Sequence, residues 1–276
     1  MQQLIDALAA GGVDRDDVTV ANLERDLSAV LRRLHAGEYA RTDFVERNVF
    51  DVPRRTREFF SYMEGYLRLA GRWIEALDGF PISELDDVVD LCPGWAPKIE
   101  LALLRTGFRG TVVVVDTDAR ALAALSSLIA GFAPPFTMAA ECADFFAPPA
   151  RRFRCAVANH VVDDLILSRF APEPSSSLYE DEGALVAAWL KIAERADEVV
   201  AGFPAELAEA FSRWVAPDGW LLLSHYDSFV DELLGSPVRA LVDQVFRATV
   251  SALVERGFVV EREAPAGYVR LKLKQR

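Results

Sequence analysis

VVDLCPGWAPKIELAL, Val88–Leu103, decides how this chain is read. Val88 to Leu91 read as a short buried strand. Cys92, Pro93 and Gly94 turn the chain, and apolar residues then recur at helical spacing. A strand, a tight turn and a helix in this order make a common phosphate- or nucleotide-cradling unit, usually rich in glycine. Here the turn holds a single glycine, between Pro93 and Trp95. The question is whether other small residues do the work of the missing glycines.

Outward from this stretch the pattern repeats. DDVVDL, TVVVVD, FTMAAE, RCAVANHVV and GWLLLSHY are short β-branched or apolar runs separated by longer helical segments. Alternating strands and helices imply an α/β fold with a doubly wound, mostly parallel sheet and helices on both faces. The last helix is expected over about 237–256, and FVVERE and YVRLKLK are expected to pair as a terminal hairpin. Upstream, residues from about 20 to 78 carry helical periodicity. Leu23, Leu27, Val30, Leu31 and Leu34 form one series; Phe59, Met63, Tyr66, Ala70, Trp73 and Leu77 form another. The polar stretch between them contains Pro53 and reads as broken helix. The expected organisation is a helical segment over residues 1–80 and an α/β domain over 81–276, with a helical insertion at about 166–214. Ala171–Ser177, APEPSSS, is the one low-complexity patch.

At 276 residues the chain is long enough to bury a full core. Half its residues are hydrophobic and 26% are charged, as in ordinary globular proteins. Net charge is −12 and the pI is near 4.8. Nucleic-acid backbones and anionic membranes demand clustered Lys and Arg, so neither is the expected main partner. Three widely spaced cysteines fit neither a disulfide framework nor a zinc site, and no metal is expected. No apolar run reaches membrane-spanning length and no signal peptide is evident at the start, so a cytoplasmic location is expected.

In doubly wound sheets, ligands bind at the carboxyl ends of strands. The first run is followed by Asp90, Leu91, Cys92, Pro93 and Gly94. The second ends in Asp116, an acid placed to accept from a ribose diol. The acidic, aromatic turn ECADFF, Glu141–Phe146, follows the third. The fourth ends in Asn159 and His160, ahead of Asp163 and Asp164, and the fifth in His225 and Tyr226.

This series resembles the class I S-adenosylmethionine-dependent methyltransferases, over about residues 86–276 and by order and spacing. In DLCPGWA, Asp90 and Gly94 stand where that family has its acid and middle glycine, while Cys92 and Ala96 take the places of the outer glycines. All three positions remain small, and the one kept as glycine is where backbone must approach ligand most closely. The resemblance implies a seven-stranded, Rossmann-like sheet with an antiparallel C-terminal strand, and S-adenosylmethionine as cofactor. Asp90 and the Gly94 backbone, with Leu91 and Cys92 beside them, would hold the methionine end. Asp116 would bind the ribose hydroxyls, and Thr117 and Asp118 would line the adenosine. Asp144 would accept from the adenine amino group, with Ala143 and Phe145 beside the ring. Asn159 and His160 would face the sulfonium, PDGWLLLS would turn into the fifth strand, and Tyr62 and Tyr66 would close over the cofactor.

Methyl transfer requires chiefly an in-line approach of the nucleophile, and a general base helps when that nucleophile is a hydroxyl, phenol or acidic carbon. His160 and His225 are the candidate bases, having a suitable pKa. Each is weighed against a purely structural role. The same holds for Asp116 as a strand-end helix cap, for Asp144 as a turn acid, for Asp163 and Asp164 as acids favoured at a helix N-terminus, and for Tyr62 and Tyr66 as core. Cys92 and Cys142 read as packing residues. His35 and the pair Arg54 and Arg55 read as surface. The expected partner is a small-molecule acceptor, enclosed by the N-terminal segment and the insertion, with a homodimer as the candidate assembly. A fold that binds the cofactor without transfer, as a cyclase or structural protein, and a pure interaction module are the alternatives. An RNA cytosine methyltransferase lacks support because ANHVVDDL holds no cysteine after a proline. A dehydrogenase would want a more glycine-rich turn.

Overall fold

A computed structural model describes residues 56–94, 96–172, 178, 182–226, 234–264 and 267–274. Of residues 56–65, 182 and 264 it describes the backbone only. The helical series before residue 39, the polar stretch with Arg54 and Arg55, and most of APEPSSS lie outside the described residues. Seven strands form one sheet in the order β3-β2-β1-β4-β5-β7-β6. The chain divides into two compact units, residues 1–144 and 145–276.

In the first unit, α1 (Thr56–Ala76) precedes β1 (Asp87–Leu91), α2 (Lys98–Thr106), β2 (Thr111–Asp116), α3 (Ala119–Gly131) and β3 (Thr137–Cys142). β1 pairs in parallel with β2, and β2 with β3. Val112 to Val115 are buried, as a run of β-branched residues should be in a strand covered on both faces. β1 runs through Leu91, so Asp90 lies inside the strand rather than after it. Tyr66, Leu67, Ala70 and Trp73 of α1 are buried, and α1 packs on α2. α3 opens on Asp118, whose carboxylate accepts from the amides of Arg120 at 2.8 Å and Ala121 at 3.3 Å. This satisfies amides that the first helical turn leaves unpaired.

The second unit holds β4 (Phe153–Asn159), α4 (Val162–Phe170), α5 (Glu182–Ala193), α6 (Ala196–Trp214), β5 (Val215–Ser224), α7 (Ser236–Glu255), β6 (Phe258–Ala264) and β7 (Tyr268–Leu273). β4 and β5 are parallel, and β7 runs antiparallel to both β5 and β6. The expected terminal hairpin is therefore β6 and β7, and the expected last helix is α7. α7 packs against α4, α5 and α6, burying Val238, Leu241, Val242 and Val245. Trp214 closes α6: its ring stacks on Phe153 and its Nε1–H donates to the Phe145 carbonyl at 3.1 Å. No described helix is long and apolar enough to cross a membrane.

Candidate functional site

The first unit carries an acidic loop. The Cys92 amide donates to the Val115 carbonyl at 2.7 Å, so the chain leaving β1 stays attached to β2. Cys92 (φ 56°) and Gly94 (φ 59°) then adopt left-handed backbone. Gly94 takes this conformation freely, whereas at Cys92 it is strained. The Gly94 amide donates to Asp116 Oδ2 at 3.0 Å, and the Asp118 amide to Asp116 Oδ1 at 3.0 Å. Asp116 is thus a clamp between the loop and the start of α3. Burial pushes its carboxyl up, and the Asp118 and Gly94 amides pull it back part of the way.

Behind this loop three charged residues are buried together: Asp90, Lys98 and Glu100. Burial raises Asp90 well above the usual carboxylate range, and the neighbouring Glu100 charge adds to this. Burial also pushes Glu100 up to about 7. Two adjacent buried carboxyls resist carrying two charges, so near neutrality the pair keeps a proton. Lys98 Nζ offsets part of the remaining charge and sits 5.9 Å from the Tyr66 ring centroid. A side-chain hydrogen bond links Asp90 and Glu100, which is where the retained proton lies.

Thr117 and Asp144 are exposed, and Ala143 and Asp118 half-buried. The Ala143 amide donates to the Asp116 carbonyl at 3.0 Å, and Cys142 Sγ lies 3.4 Å from the Thr117 carbonyl. Tyr66 is fully buried, and the Tyr62 side chain is outside the described residues. Cys92, Cys142 and Cys155 are free thiols. Among the described residues no three His, Cys, Asp or Glu side chains gather as a metal site.

The second unit carries an aromatic stack. Tyr226, His160, His225 and Phe246 lie ring on ring, with successive centroids 4.3, 5.3 and 5.0 Å apart. His160 has left-handed backbone (φ 54°), and its amide donates to the Ser224 carbonyl at 2.9 Å. Its Nδ1 accepts from the Tyr226 amide at 3.3 Å, and its Nε2 lies 3.2 Å from Asp163 Oδ2. His225 Nε2 lies 2.8 Å from Asp243 Oδ1, and its Nδ1 is buried without a partner among the described residues. Burial and the neighbouring His160 charge lower the His225 pKa; Asp163 and Asp243 oppose this. Burial would raise Asp163, but the His160 charge and hydrogen bond, the His225 charge and the Asp164 amide together outweigh it, and the carboxyl stays below its usual value. Asn159 is occupied on both sides: its Oδ1 accepts from Ser224 Oγ at 2.8 Å and its Nδ2 donates to the Tyr226 hydroxyl at 3.1 Å. Phe145 is buried edge-on against Phe146 and Phe211, as a core residue of this unit.

The structure therefore brings Asp90, Cys92, Gly94, Asp116 and Asp118 together in one unit, and Asn159, His160 and His225 in the other. Sequence reasoning missed Glu100, Lys98 and Asp243. A glutamate inside the apolar run IELALL is a visible signal for Glu100; nothing in the sequence marks Asp243.

No family model matches the chain, and no curated protein matches it. Solved structures are similar to it at low identity. An O-methyltransferase family 2 protein from Planctomyces limnophilus, in complex with apigenin, is 13% identical with a TM-score of 0.46; the match covers 80% of this chain and 62% of that one. The apo form of the S-adenosylmethionine-dependent methyltransferase SibL is 17% identical with a TM-score of 0.45, covering 99% and 75%. A SAM-dependent methyltransferase from Aquifex aeolicus is 12% identical with a TM-score of 0.46, covering 72% and 88%. The chain thus spans less than two thirds of the first of these proteins. Its own strand order and single antiparallel strand define a doubly wound, Rossmann-like α/β fold.

Proposed function

We propose that this chain is an S-adenosylmethionine-dependent methyltransferase acting on a small-molecule acceptor. The observation that carries the reading is the loop after β1, where the Gly94 amide is bound to Asp116 at the end of β2. Asp116 accepts the Gly94 and Asp118 amides, one on each oxygen, and on this reading it also accepts from a ribose diol. The buried Asp90–Glu100 pair offers carboxyl oxygens to the ammonium of a methionine end. In this reading Leu91 and Cys92 line that end. Thr117, Asp118, Ala143 and Asp144 serve the adenosine, and Tyr66 covers it.

Bound cofactor supplies an activated methyl group. The chain's own residues bind, orient and, in the second unit, take up a proton at histidine. The charge of −12 favours a small acceptor over a nucleic acid. This reading places the protein in the cytoplasm with reduced thiols. The test is release of demethylated cofactor in the presence of phenol, amine and carbon-acid acceptors. Methyl transfer to one class supports the proposal. Cofactor binding with no release from any class would favour a cofactor-binding protein without transfer.

A further inference from the structure

We infer that Glu100 is the second acid of the methionine-end subsite: with Asp90 it holds one proton in the free protein and gives that proton up when a primary ammonium enters, so the subsite selects cationic amines. The inference rests on the methyltransferase reading for its ligand, but the shared proton is a property of the fold alone. Asp90 lies in β1, just before the Cys92–Gly94 loop, and Glu100 in the first turn of α2, just after it. Both are buried, and their side chains are hydrogen-bonded to each other. An ionised carboxylate can only accept, so a bond between two carboxyls requires a proton on one of them. Every group in this arrangement belongs to the first unit.

Charge balance sets what the pair can take. With one proton the pair carries a single negative charge, which the buried Lys98 ammonium matches. Burial and mutual repulsion oppose a second charge on the pair. A ligand ammonium brings a positive charge and donates to carboxylate oxygens through charge-assisted hydrogen bonds. The pair then ionises fully, the cluster stays neutral, and the proton passes to solvent. The first-turn position of Glu100 favours its anion, since the N-terminal end of a helix is positive. The other charged or titratable groups around the pair are Asp116 at the end of β2, with Asp118 beyond it, and the buried Tyr66 and Arg68 of α1, which packs on α2. Asp116 is engaged by the Gly94 and Asp118 amides, and the Tyr66 ring centroid is 5.9 Å from Lys98 Nζ. A nucleoside without the amine brings no charge and leaves the proton in place.

The test is calorimetric titration of the full chain at about pH 6 in phosphate and in bis-Tris, whose ionisation enthalpies differ, so that the difference in apparent binding enthalpy counts protons. The probes are S-adenosylmethionine and 5′-methylthioadenosine, which keeps the nucleoside and lacks the amine. The expected result is release of about one proton with the first and none with the second. Because the free pair holds the proton and the bound pair does not, S-adenosylmethionine should bind up to about tenfold more tightly per pH unit between about pH 5 and 7, and level off above. Glu100→Gln donates an amide N–H to Asp90 in the proton's place. It is expected to abolish the release and flatten the pH dependence. The wild-type count needs no variant, so a Glu100→Gln chain that fails to fold leaves the test decisive. Binding of S-adenosylmethionine without proton release, equal release with 5′-methylthioadenosine, or an unchanged count in folded Glu100→Gln would overturn the inference and leave the wider reading standing. A folded protein that binds neither probe would overturn both.

Discussion

The Gly94 amide and the Asp116 carboxylate meet at 3.0 Å, joining a loop and a strand end that lie 22 residues apart. One acid thereby shapes the turn, and on the proposed function it also accepts from a ribose. Asp116→Asn keeps only one acceptor oxygen, so either the Gly94 or the Asp118 amide meets an NH2 group. The expected cost is about 1–3 kcal/mol, from a buried donor left unpaired. Urea unfolding checks the stability, and cofactor titration of the folded variant should show weakened binding.

Glu100 ties stability to pH. Its folded pKa of about 7 lies above its ordinary value of 4.5. The folded state therefore binds more protons between these values, and this contribution to stability is full below about 4.5 and lost as pH rises through about 7. Glu100→Gln should flatten that fall. Denaturation midpoints across this range check it, and an unchanged slope would show that Glu100 does not titrate within the fold.

Gly267 fixes the backbone beside His225. Its φ is +78°, and an added Cβ would collide with the His225 carbonyl oxygen. The Gly267 carbonyl in turn accepts from the His225 amide at 2.9 Å. Gly267→Ala should destabilise by about 1–3 kcal/mol through strain and should shift the His225 ring signals. Thermal unfolding and histidine NMR report the two effects.

Phe145 tests core against ligand contact. Its buried ring packs against Phe146 and Phe211, and its carbonyl receives Trp214 Nε1. Phe145→Ala should cost about 3–5 kcal/mol, as large-to-small core changes do. Trp214→Phe should cost about 1 kcal/mol through the lost hydrogen bond. Chemical denaturation of both variants checks the order.

Most of the described fold was legible because strands and helices bury continuous or periodic apolar residues. TVVVVD became β2, and FVVERE and YVRLKLK became β6 and β7. The acid at the end of β2 was legible as well, but its engagement by backbone was not. Asp116 reads as a helix cap, whereas Asp118 does the capping, because the helix begins at Ala119, two residues later than a cap at Asp116 would start it. Asp163 was read as a favoured first-turn acid; it is that, and it also faces His160. The ring stack joins residues 160, 225, 226 and 246, and Asp243 reaches His225 from a different element. Such pairings arise from tertiary packing, and no local spacing encodes them.

The central claim is that DLCPGWA, with Cys92 and Ala96 in the outer positions, still forms a cofactor loop. Isothermal calorimetry of the full chain with S-adenosylmethionine and its demethylated product tests it most directly. The account predicts micromolar binding to both. A folded protein that binds neither would contradict it.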